Sequence, residues 1–404
     1  MESNTLKKKY DIKELELNSL LEITQAINNN LPEDSLYKIY NFTLRSNLNI
    51  KKLALYVMDE TWECKVNFGT NHNFKSTPLD SRFSHIKKIQ IINEIYKGSE
   101  FQEFDKAIPV THKEKLLAVV LVASDTNPGS AHDLNLTLVQ ALSNIIIVAI
   151  ENKKLARRQL RQEALRKELE IAKNVQSFLF PKNLPYNDDL QVQAKYLPHH
   201  NVGGDYYDFI ELPENKLFIC IADVSGKGVP AAILMSNFQA SLHTLLRKST
   251  NLKEIVEELN YQIIKNANGE NFITYFGAIY NRSLAELNYV NAGHNPPILI
   301  RDGELESLTE GTTILGTFNP LPFLSHGVVK NVKKFFFFAY TDGVTETFNS
   351  KGEEYGNIRL EKFLLKSYNK DLPTIHSDLM ADLEKFRGEV EHQDDITFIS
   401  CKVN

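Results

Sequence analysis

The sequence predicts an α+β protein of two units joined by a helix: an N-terminal α/β domain over residues 1–150, a helical linker over 151–182 and a C-terminal sandwich of sheets and helices over 183–404. Three observations support this prediction. The first 150 residues alternate between helical and strand-like apolar patterns. A charged stretch without Gly or Pro follows them. Beyond Pro185, strand-like runs separated by Gly, Asn and Asp turns are interspersed with a few helices.

The composition excludes several classes of protein. A chain of 404 residues with 42% hydrophobic and 24% charged content is long enough for two or three packed domains, and it is neither disordered, collagen-like nor disulfide-stapled. Its net charge of −5 argues against a nucleic-acid partner. Cys64, Cys220 and Cys401 are widely spaced without a CxxC pair, which favours a reducing compartment over a structural zinc site.

The chain carries no recognisable targeting segment. Its first twenty residues lack the apolar run of a secretory signal. The longest apolar runs, 116–123 and 145–150, are well short of the roughly 20 residues that span a bilayer. We therefore expect a cytoplasmic protein that does not enter the membrane.

Apolar spacing defines the elements of the first unit. Helical periodicity is followed by short buried-looking strands and then by a further helix. The predicted helices are 12–29, 35–46 and 133–150, and the predicted strands are 52–57, 107–110 and 115–123.

Residues 151–173 predict one continuous, highly charged helix that ends before Pro181 and Pro185. Apolar residues form two adjacent stripes along it: Leu155, Leu165, Leu169, Ala172 and Leu179, and Ala164, Ile171, Val175 and Phe178. Arg158, Gln162 and Gln176 interrupt the first stripe at core-like positions. The helix either pairs weakly with a second copy of itself or serves as a solvated spacer.

The second unit is richer in strands. The continuous apolar run at 216–224 predicts a fully buried strand, and Pro230 lies in the first turn of the helix that follows. The remaining predicted strands are 272–280, 284–291, 328–340 and 396–403, and the predicted helices are 229–248, 251–266 and 372–386.

Carboxylates next to these strands are the candidate chemical groups. They are Asp205, Asp223, Asp342, Asp394 and Asp395. Converging carboxylates without matching basic residues repel one another unless cations offset their charge. Oxygen-only ligands select hard ions such as Mg²⁺ or Mn²⁺. Two such ions can activate water for attack on phosphorus, so the pattern points to phosphate-ester hydrolysis.

Five blocks carry a resemblance to a known family: GGDYYDF (203–209), ADVSGKGVPAA (222–232), NAGHNPP (291–297), AYTDGVTE (339–346) and QDDITF (393–398). In this order they resemble the metal-dependent PPM-type serine/threonine phosphatases. The similarity is to the bacterial protein phosphatase 2C-like branch that includes the sporulation stage II protein E and the sigma-factor-regulating phosphatases. It covers about residues 184–404 and implies an α/β/β/α sandwich.

The resemblance also implies a role for each acid. Asp223 takes the place of the aspartate that bridges the two metal ions, and the main-chain carbonyl of Val224 takes that of a glycine carbonyl ligand. Asp342 and Asp394 resemble the other ligands of the first metal. Two further positions complete the set: Asp395 stands where Asn or Asp is common, and Asp205 matches the acid of the first motif. We expect all five acids and Val224 to serve the metal site, with Asp205, Asp223, Asp342 and Asp394 as catalytic residues.

The chain departs from the family at two positions. Ser225 stands where eukaryotic members carry a His, and no Arg precedes Gly203 as a phosphate-binding residue, although His199 and His200 lie nearby. His294 either caps a tight loop by hydrogen bonding or serves as a metal ligand or acid, and the cap is the favoured interpretation. Lys227 either attracts phosphate near a helix N-terminus or faces solvent.

The first unit resembles a GAF-type sensory domain in the order of its elements and its position before a helix. It senses a ligand or acts as a ligand-free dimerisation module, and the two readings are equally supported.

The resulting hypothesis is a Mn²⁺- or Mg²⁺-dependent phosphatase, with two metal ions, acting on phosphoserine or phosphothreonine. The resemblance suggests a phosphorylated anti-sigma-factor antagonist as substrate, and control by the N-terminal domain in a homodimer formed through that domain and the linker. The alternatives are a binding-only regulatory module and a small-molecule phosphomonoesterase.

Overall fold

A computed structural model describes residues 2–47, 50–92, 96, 98–123, 136–267 and 270–404. The chain divides into two compact units, Met1–Glu163 and Ala164–Asn404. Each unit is described below by itself.

In its described residues, the N-terminal unit contains a five-stranded antiparallel sheet and three α-helices. The helices are α1 (Glu2–Asn28), α2 (Glu33–Phe42) and α3 (Leu136–Ser177), the last of which begins in this unit and ends in the next. The strands are β1 (Lys52–Met58), β2 (Trp62–Phe68), β3 (Gln90–Ile91), β4 (Lys106–His112) and β5 (Lys115–Ala123). Their order in the sheet is β2-β1-β5-β4-β3.

Strand alternation gives this sheet two apolar faces. In β1, Leu53 and Leu55 join a core that also contains residues of all three helices, whereas Ala54 and Tyr56 join a second core. This second core contains the buried aromatic side chains Phe74, Phe83, Tyr96, Phe101 and Phe104. On the helical side, Tyr40 of α2 and Ser143 of α3 are hydrogen-bonded at 2.6 Å.

Two helices expected at 133–150 and 151–173 are one continuous helix, α3. Residues 133–135 lie outside the described residues. By length and composition, α3 is also the one described helix that could cross a membrane. Val139, Leu142 and Ile146 of its apolar part are buried in the core of the N-terminal unit, and buried core helices can share this length and composition.

The part of the C-terminal unit that the structure describes contains two sheets and five further α-helices. The first sheet has the order β13-β10-β9-β8-β7, with β14 also paired to β10, and the second has the order β12-β11-β15-β16-β6. The strands are β6 (Leu190–Leu197), β7 (Tyr206–Leu212), β8 (Lys216–Val224), β9 (Ile273–Asn281), β10 (Glu286–Ala292), β11 (Ile298–Arg301), β12 (Glu304–Ser307), β13 (Gly311–Thr312), β14 (Gly327–Lys330), β15 (Phe335–Tyr340) and β16 (Ile396–Val403). The helices are α4 (Val229–Leu246), α5 (Leu252–Ala267), α6 (Asp342–Thr345), α7 (Gly356–Ser367) and α8 (Leu372–Arg387).

Alternation along the buried strands places the two sheets face to face between outer helices. Leu217 and Ile219 of β8 and Phe337 of β15 belong to one core shared by both sheets. Phe218 of β8 points the other way, into a core with α4 and α5, and Phe338 of β15 belongs to a core with α7 and α8. Because both faces of each sheet are buried, these strands are continuous apolar runs.

The prediction of a single strand at 328–340 is wrong. The structure has two strands there, β14 and β15, and they belong to different sheets. Between them Asn331 adopts a left-handed backbone conformation, with φ of 58°, and Val332 N–H donates to the carbonyl of Ala285. Because Asn tolerates this conformation well, the chain turns there despite the apolar residues on both sides.

Candidate metal centre

Strand pairing explains why distant acids meet at one place. In the first sheet Tyr206 of β7 pairs with Ala222 of β8, so Asp205 and Asp223 are neighbours at the same end. In the second sheet Tyr340 of β15 pairs with Phe398 of β16, which brings Asp342 close to the residues before β16. The antiparallel registers therefore place each pair of acids together.

Asp205 links the two sheets. It is 2% exposed, and its Oδ2 accepts hydrogen bonds from the hydroxyls of Thr341, at 2.9 Å, and Thr397. Thr341 N–H in turn donates to the carbonyl of Thr397 at 2.9 Å. Burial raises the pKa of Asp205 well above its usual range, and the charges of Asp223 and Asp395 raise it further.

Asp223 lies near the end of β8, and burial raises its pKa to about 7. The charges of Asp342 and Asp394 act in the same direction, whereas a hydrogen bond with Asp205 acts against them. The pKa of Asp342 is also raised, mainly by burial and then by Asp394. The charges of Asp342 and Asp394 thus disfavour ionisation of Asp223, and that of Asp394 disfavours ionisation of Asp342, a repulsion that a bound cation would relieve.

Asp394 and Asp395 are adjacent but have different environments. Asp395 is buried, and its carboxylate accepts hydrogen bonds from the N–H groups of His199, at 2.7 Å, and Gly204, at 3.1 Å. Asp394 instead forms an ion pair with Lys227, with Nζ 2.8 Å from Oδ2. Asp395 therefore fixes the loop before β7, and Asp394 lies on the side open to solvent.

The two glycines before Asp205 are required by close packing. A Cβ atom at Gly203 would collide with the carboxylate of Asp395, and one at Gly204 would lie 2.7 Å from the carbonyl oxygen of Val224. The loop can therefore pass between Asp395 and Val224 only without side chains at these positions. This contact also places Val224, the predicted main-chain ligand, beside the acidic cluster.

The donor chemistry fits a hard divalent cation, although the ligands are not preassembled. In the described part of the chain, no three His, Cys, Asp or Glu side chains are arranged to hold a metal ion directly. Several oxygens of the acids already have partners: Asp205 Oδ2 accepts from two threonine hydroxyls, both carboxylate oxygens of Asp395 accept from main-chain N–H groups, and Asp394 Oδ2 contacts Lys227. The set is nevertheless made only of oxygen ligands, which Mg²⁺ and Mn²⁺ prefer.

Ser225 stabilises the neighbouring strand. Its N–H donates to the carbonyl of Phe272, and Phe272 N–H donates back to its hydroxyl, both at 2.9 Å. Its side chain therefore connects β8 to β9 rather than pointing a free hydroxyl at the acids.

The nearby histidines contribute through structural contacts. His294 is buried, its N–H donates to Asn291 Oδ1 at 2.8 Å, and its Nδ1 lies 2.8 Å from the hydroxyl of Thr274. Burial lowers its pKa to about 4, so the imidazole is neutral at pH 7. His199 approaches the cluster through its main-chain N–H, and its ring lies 4.4 Å from that of His200.

The structure adds a residue whose importance the sequence indicated only indirectly. Gln176, near the end of α3, is buried; its Nε2 donates to the carbonyl of Gly203 at 2.7 Å, and Gly203 N–H donates to its Oε1 at 3.3 Å. The sequence signal for Gln176 was its polar side chain at a core-like position of an apolar stripe. Thr341 and Thr397, which hold Asp205, lie inside the recognised blocks but have no signal of their own.

Comparisons with known proteins show what this part of the chain is similar to. Residues 213–404 match the family model described as Stage II sporulation protein E (SpoIIE), a segment that includes Asp223, Asp342, Asp394 and Asp395 but not Asp205. Among solved structures, the SiaA-PP2C domain of Pseudomonas aeruginosa is similar with a TM-score of 0.54 and 20% identity, over 60% of this chain and 99% of that domain. Residues 213–404 are therefore similar to the SpoIIE family, and the chain shares the fold of the SiaA-PP2C domain.

Two curated relatives are phosphatases of Bacillus subtilis. Phosphoserine phosphatase RsbU is 36% identical over 135 residues, which are 33% of this chain and 40% of RsbU. Phosphoserine phosphatase RsbP is 26% identical over 186 residues, which are 45% of this chain and 46% of RsbP. The chain spans less than half of the length of either relative.

Proposed function

We propose that this protein is a divalent-metal-dependent phosphatase that hydrolyses phosphoserine or phosphothreonine on a regulatory protein. The observation that carries the proposal is the convergence of Asp205, Asp223, Asp342 and Asp395, each with a raised pKa, at the adjoining ends of two sheets. The names of the two Bacillus subtilis relatives support the phosphoserine specificity.

Two Mn²⁺ or Mg²⁺ ions are the proposed cofactors. Asp223, Asp342 and Asp394 would hold them together with the carbonyl of Val224, with Asp205 and Asp395 beside them. When bound, such ions supply Lewis acidity and lower the pKa of water. The chain itself orients the ligands: Thr341 and Thr397 fix Asp205, and Asp395 fixes the loop that carries it.

The partner and the control of the enzyme are further parts of the proposal. The resemblance of the motif blocks to sigma-factor-regulating phosphatases supports a phosphorylated anti-sigma-factor antagonist as substrate. We assign the N-terminal unit a GAF-like regulatory role and α3 a role in a homodimer. The three free thiols, Cys64, Cys220 and Cys401, support a cytoplasmic location.

Phosphate release from a phosphoserine peptide, measured with the metal-stripped full chain, tests the proposal. We expect turnover only after Mn²⁺ or Mg²⁺ is added, and its loss in Asp223→Ala and in Asp342→Ala. Asp378→Ala is the matched control, because this carboxylate lies on α8 in an ion pair with Lys370. Wild-type rates in both site variants would refute the assignment of the acids.

A comparison of substrates separates the proposal from its rivals. Faster turnover of the phosphopeptide than of a sugar phosphate is expected, and the reverse would indicate a small-molecule phosphomonoesterase. Phosphopeptide binding without turnover, in the presence of either metal, would indicate a binding module.

A further inference from the structure

We infer that Lys227 is an exchangeable counter-ion of Asp394: its ammonium occupies this carboxylate in the metal-free protein, a divalent cation must displace it, and Lys227 thereby sets the metal affinity of the site. The inference deepens the proposed function and rests on it. It assigns Lys227 a role different from the two interpretations that the sequence left open, a phosphate-attracting group and a solvated side chain.

Lys227 and Asp394 are distant in the chain and close in space. The ammonium lies 2.8 Å from Asp394 Oδ2 and also donates a hydrogen bond to the carbonyl oxygen of Gln393. Both contacts are made with the segment that leads into β16, which also carries Asp395. The ammonium therefore occupies an oxygen that the proposed metal ion would need.

The pair is exposed enough to exchange. The side chains of Lys227 and Asp394 are 46% and 43% exposed, so a displaced ammonium regains solvation without any movement of the core. Lys227 also lies between Gly226 and Gly228, whose φ angles are 93° and 71°. Since glycine adopts such angles at little cost, this short loop can turn between β8 and α4 and still direct Lys227 towards Asp394.

The surrounding charges explain why a cation is needed at this position. A lysine ammonium is positively charged at neutral pH, and Asp342 and Asp395 add negative charge near Asp394. One ammonium offsets a single negative charge, whereas a divalent ion offsets two and accepts several oxygen ligands at once. Exchange is therefore favourable once the ion is available, but each ion that binds has to break the Lys227–Asp394 pair first.

Calorimetric titration of Mn²⁺ into the metal-stripped full chain tests this inference. Lys227→Met keeps most of the aliphatic stem and removes the charge, so we expect its affinity for Mn²⁺ to be about two- to fivefold tighter than that of the wild type, the range expected on removing a half-exposed ion pair. Lys227→Arg keeps the charge and is expected not to tighten binding. Lys216→Met is the matched control: it removes an ion pair with Glu214, 2.7 Å long, at the opposite end of β8.

A second measurement connects the effect to Asp394. In an Asp394→Asn background, Lys227→Met is expected to leave Mn²⁺ affinity unchanged, because the pair is already broken. Thermal unfolding gives an independent readout. Without metal Lys227→Met is expected to melt below the wild type, and saturating Mn²⁺ is expected to raise its melting temperature by more than that of the wild type.

The outcomes separate this inference from the proposed function. Equal or weaker Mn²⁺ binding by Lys227→Met than by a wild type that does bind would overturn the counter-ion role and leave the phosphatase proposal intact. A wild type that binds neither Mn²⁺ nor Mg²⁺ would refute the phosphatase proposal itself.

Discussion

The side-chain amide of Gln176 pairs with both main-chain polar groups of Gly203, at 2.7 Å to the carbonyl and 3.3 Å from the N–H. Gly203 lies two residues before Asp205. The last turn of α3 is thus hydrogen-bonded directly to the loop that positions a proposed metal-site carboxylate. This contact lies within the C-terminal unit and provides a physical link between the helix and the site.

We predict that Gln176→Ala lowers both stability and metal-dependent turnover. The substitution leaves two buried groups of Gly203 without partners, which costs about 1–3 kcal/mol for each unsatisfied group. Denaturant unfolding of the metal-free protein and phosphate release at several Mn²⁺ concentrations measure the two effects. Gln162→Ala, at an exposed position of the same helix, is the control. If Gln176→Ala is less stable but its turnover depends on the Mn²⁺ concentration as in the wild type, Gln176 has only a packing role.

We predict that Thr397→Val lowers the affinity for Mn²⁺ and has a smaller effect on the free energy of unfolding. Valine preserves the shape of the side chain but removes the hydroxyl that donates to Asp205 Oδ2. Because this bond favours the ionised carboxylate, its loss raises the pKa of Asp205 further and makes the residue a poorer ligand. Thr397→Ser retains the donor and is expected to bind Mn²⁺ as the wild type does. Equal affinities of the Val and Ser variants would contradict this role.

We predict that the exposed apolar stripe of α3 mediates self-association. The side chains of Ile171 and Val175 in this stripe are 62% and 57% exposed, and a second copy of the helix would cover them. Ile171→Glu with Val175→Glu is expected to shift the full chain from dimer to monomer in sedimentation velocity. Lys173→Glu changes an exposed charge on the same stretch and serves as the control. A wild type that sediments as a monomer at micromolar concentration would disprove the pairing.

Much of the architecture follows from local patterns. Lys216–Val224 is a strand as predicted: its apolar run has the length of a strand, and its residues are buried on both faces of the sheet. The prediction of one strand at 328–340 is wrong because the apolar pattern continues across Asn331. The left-handed conformation of this residue turns the chain into a second sheet. Apolar periodicity reports burial, and it does not show which sheet a strand joins.

The sequence likewise predicts some features of the candidate site and not others. The five acids were identifiable because each stands close to a strand end within a recognised block, and the antiparallel registers bring them together. Their ligand roles stay predictions. The different environments of Asp394 and Asp395 were not predictable, because they depend on partners, Lys227 and Gly204, that are more than 160 positions away in the chain.

The pH dependence of stability provides a test that needs no substrate. Burial and neighbouring charges raise the pKa of Asp223 from 3.8 to about 7 in the folded metal-free protein. The folded state therefore binds a proton more tightly than the unfolded state. The contribution of this proton to the free energy of unfolding is fully present below pH 3.8 and is lost as the pH rises through about 7. It amounts to about 4 kcal/mol at most.

We therefore predict that Asp223→Asn, which carries no ionisable group at this position, exceeds the wild type in metal-free stability at pH 7.5 and loses this advantage as the pH falls towards 4. Free energies of unfolding from urea titrations at several pH values measure the difference, and the buried His294 contributes equally to both proteins. Saturating Mn²⁺ is expected to stabilise the wild type most at pH 7.5, where its carboxylates are most ionised, and to leave the variant little changed. Parallel pH curves for the two metal-free proteins would show that Asp223 ionises normally and that the acids do not act on one another.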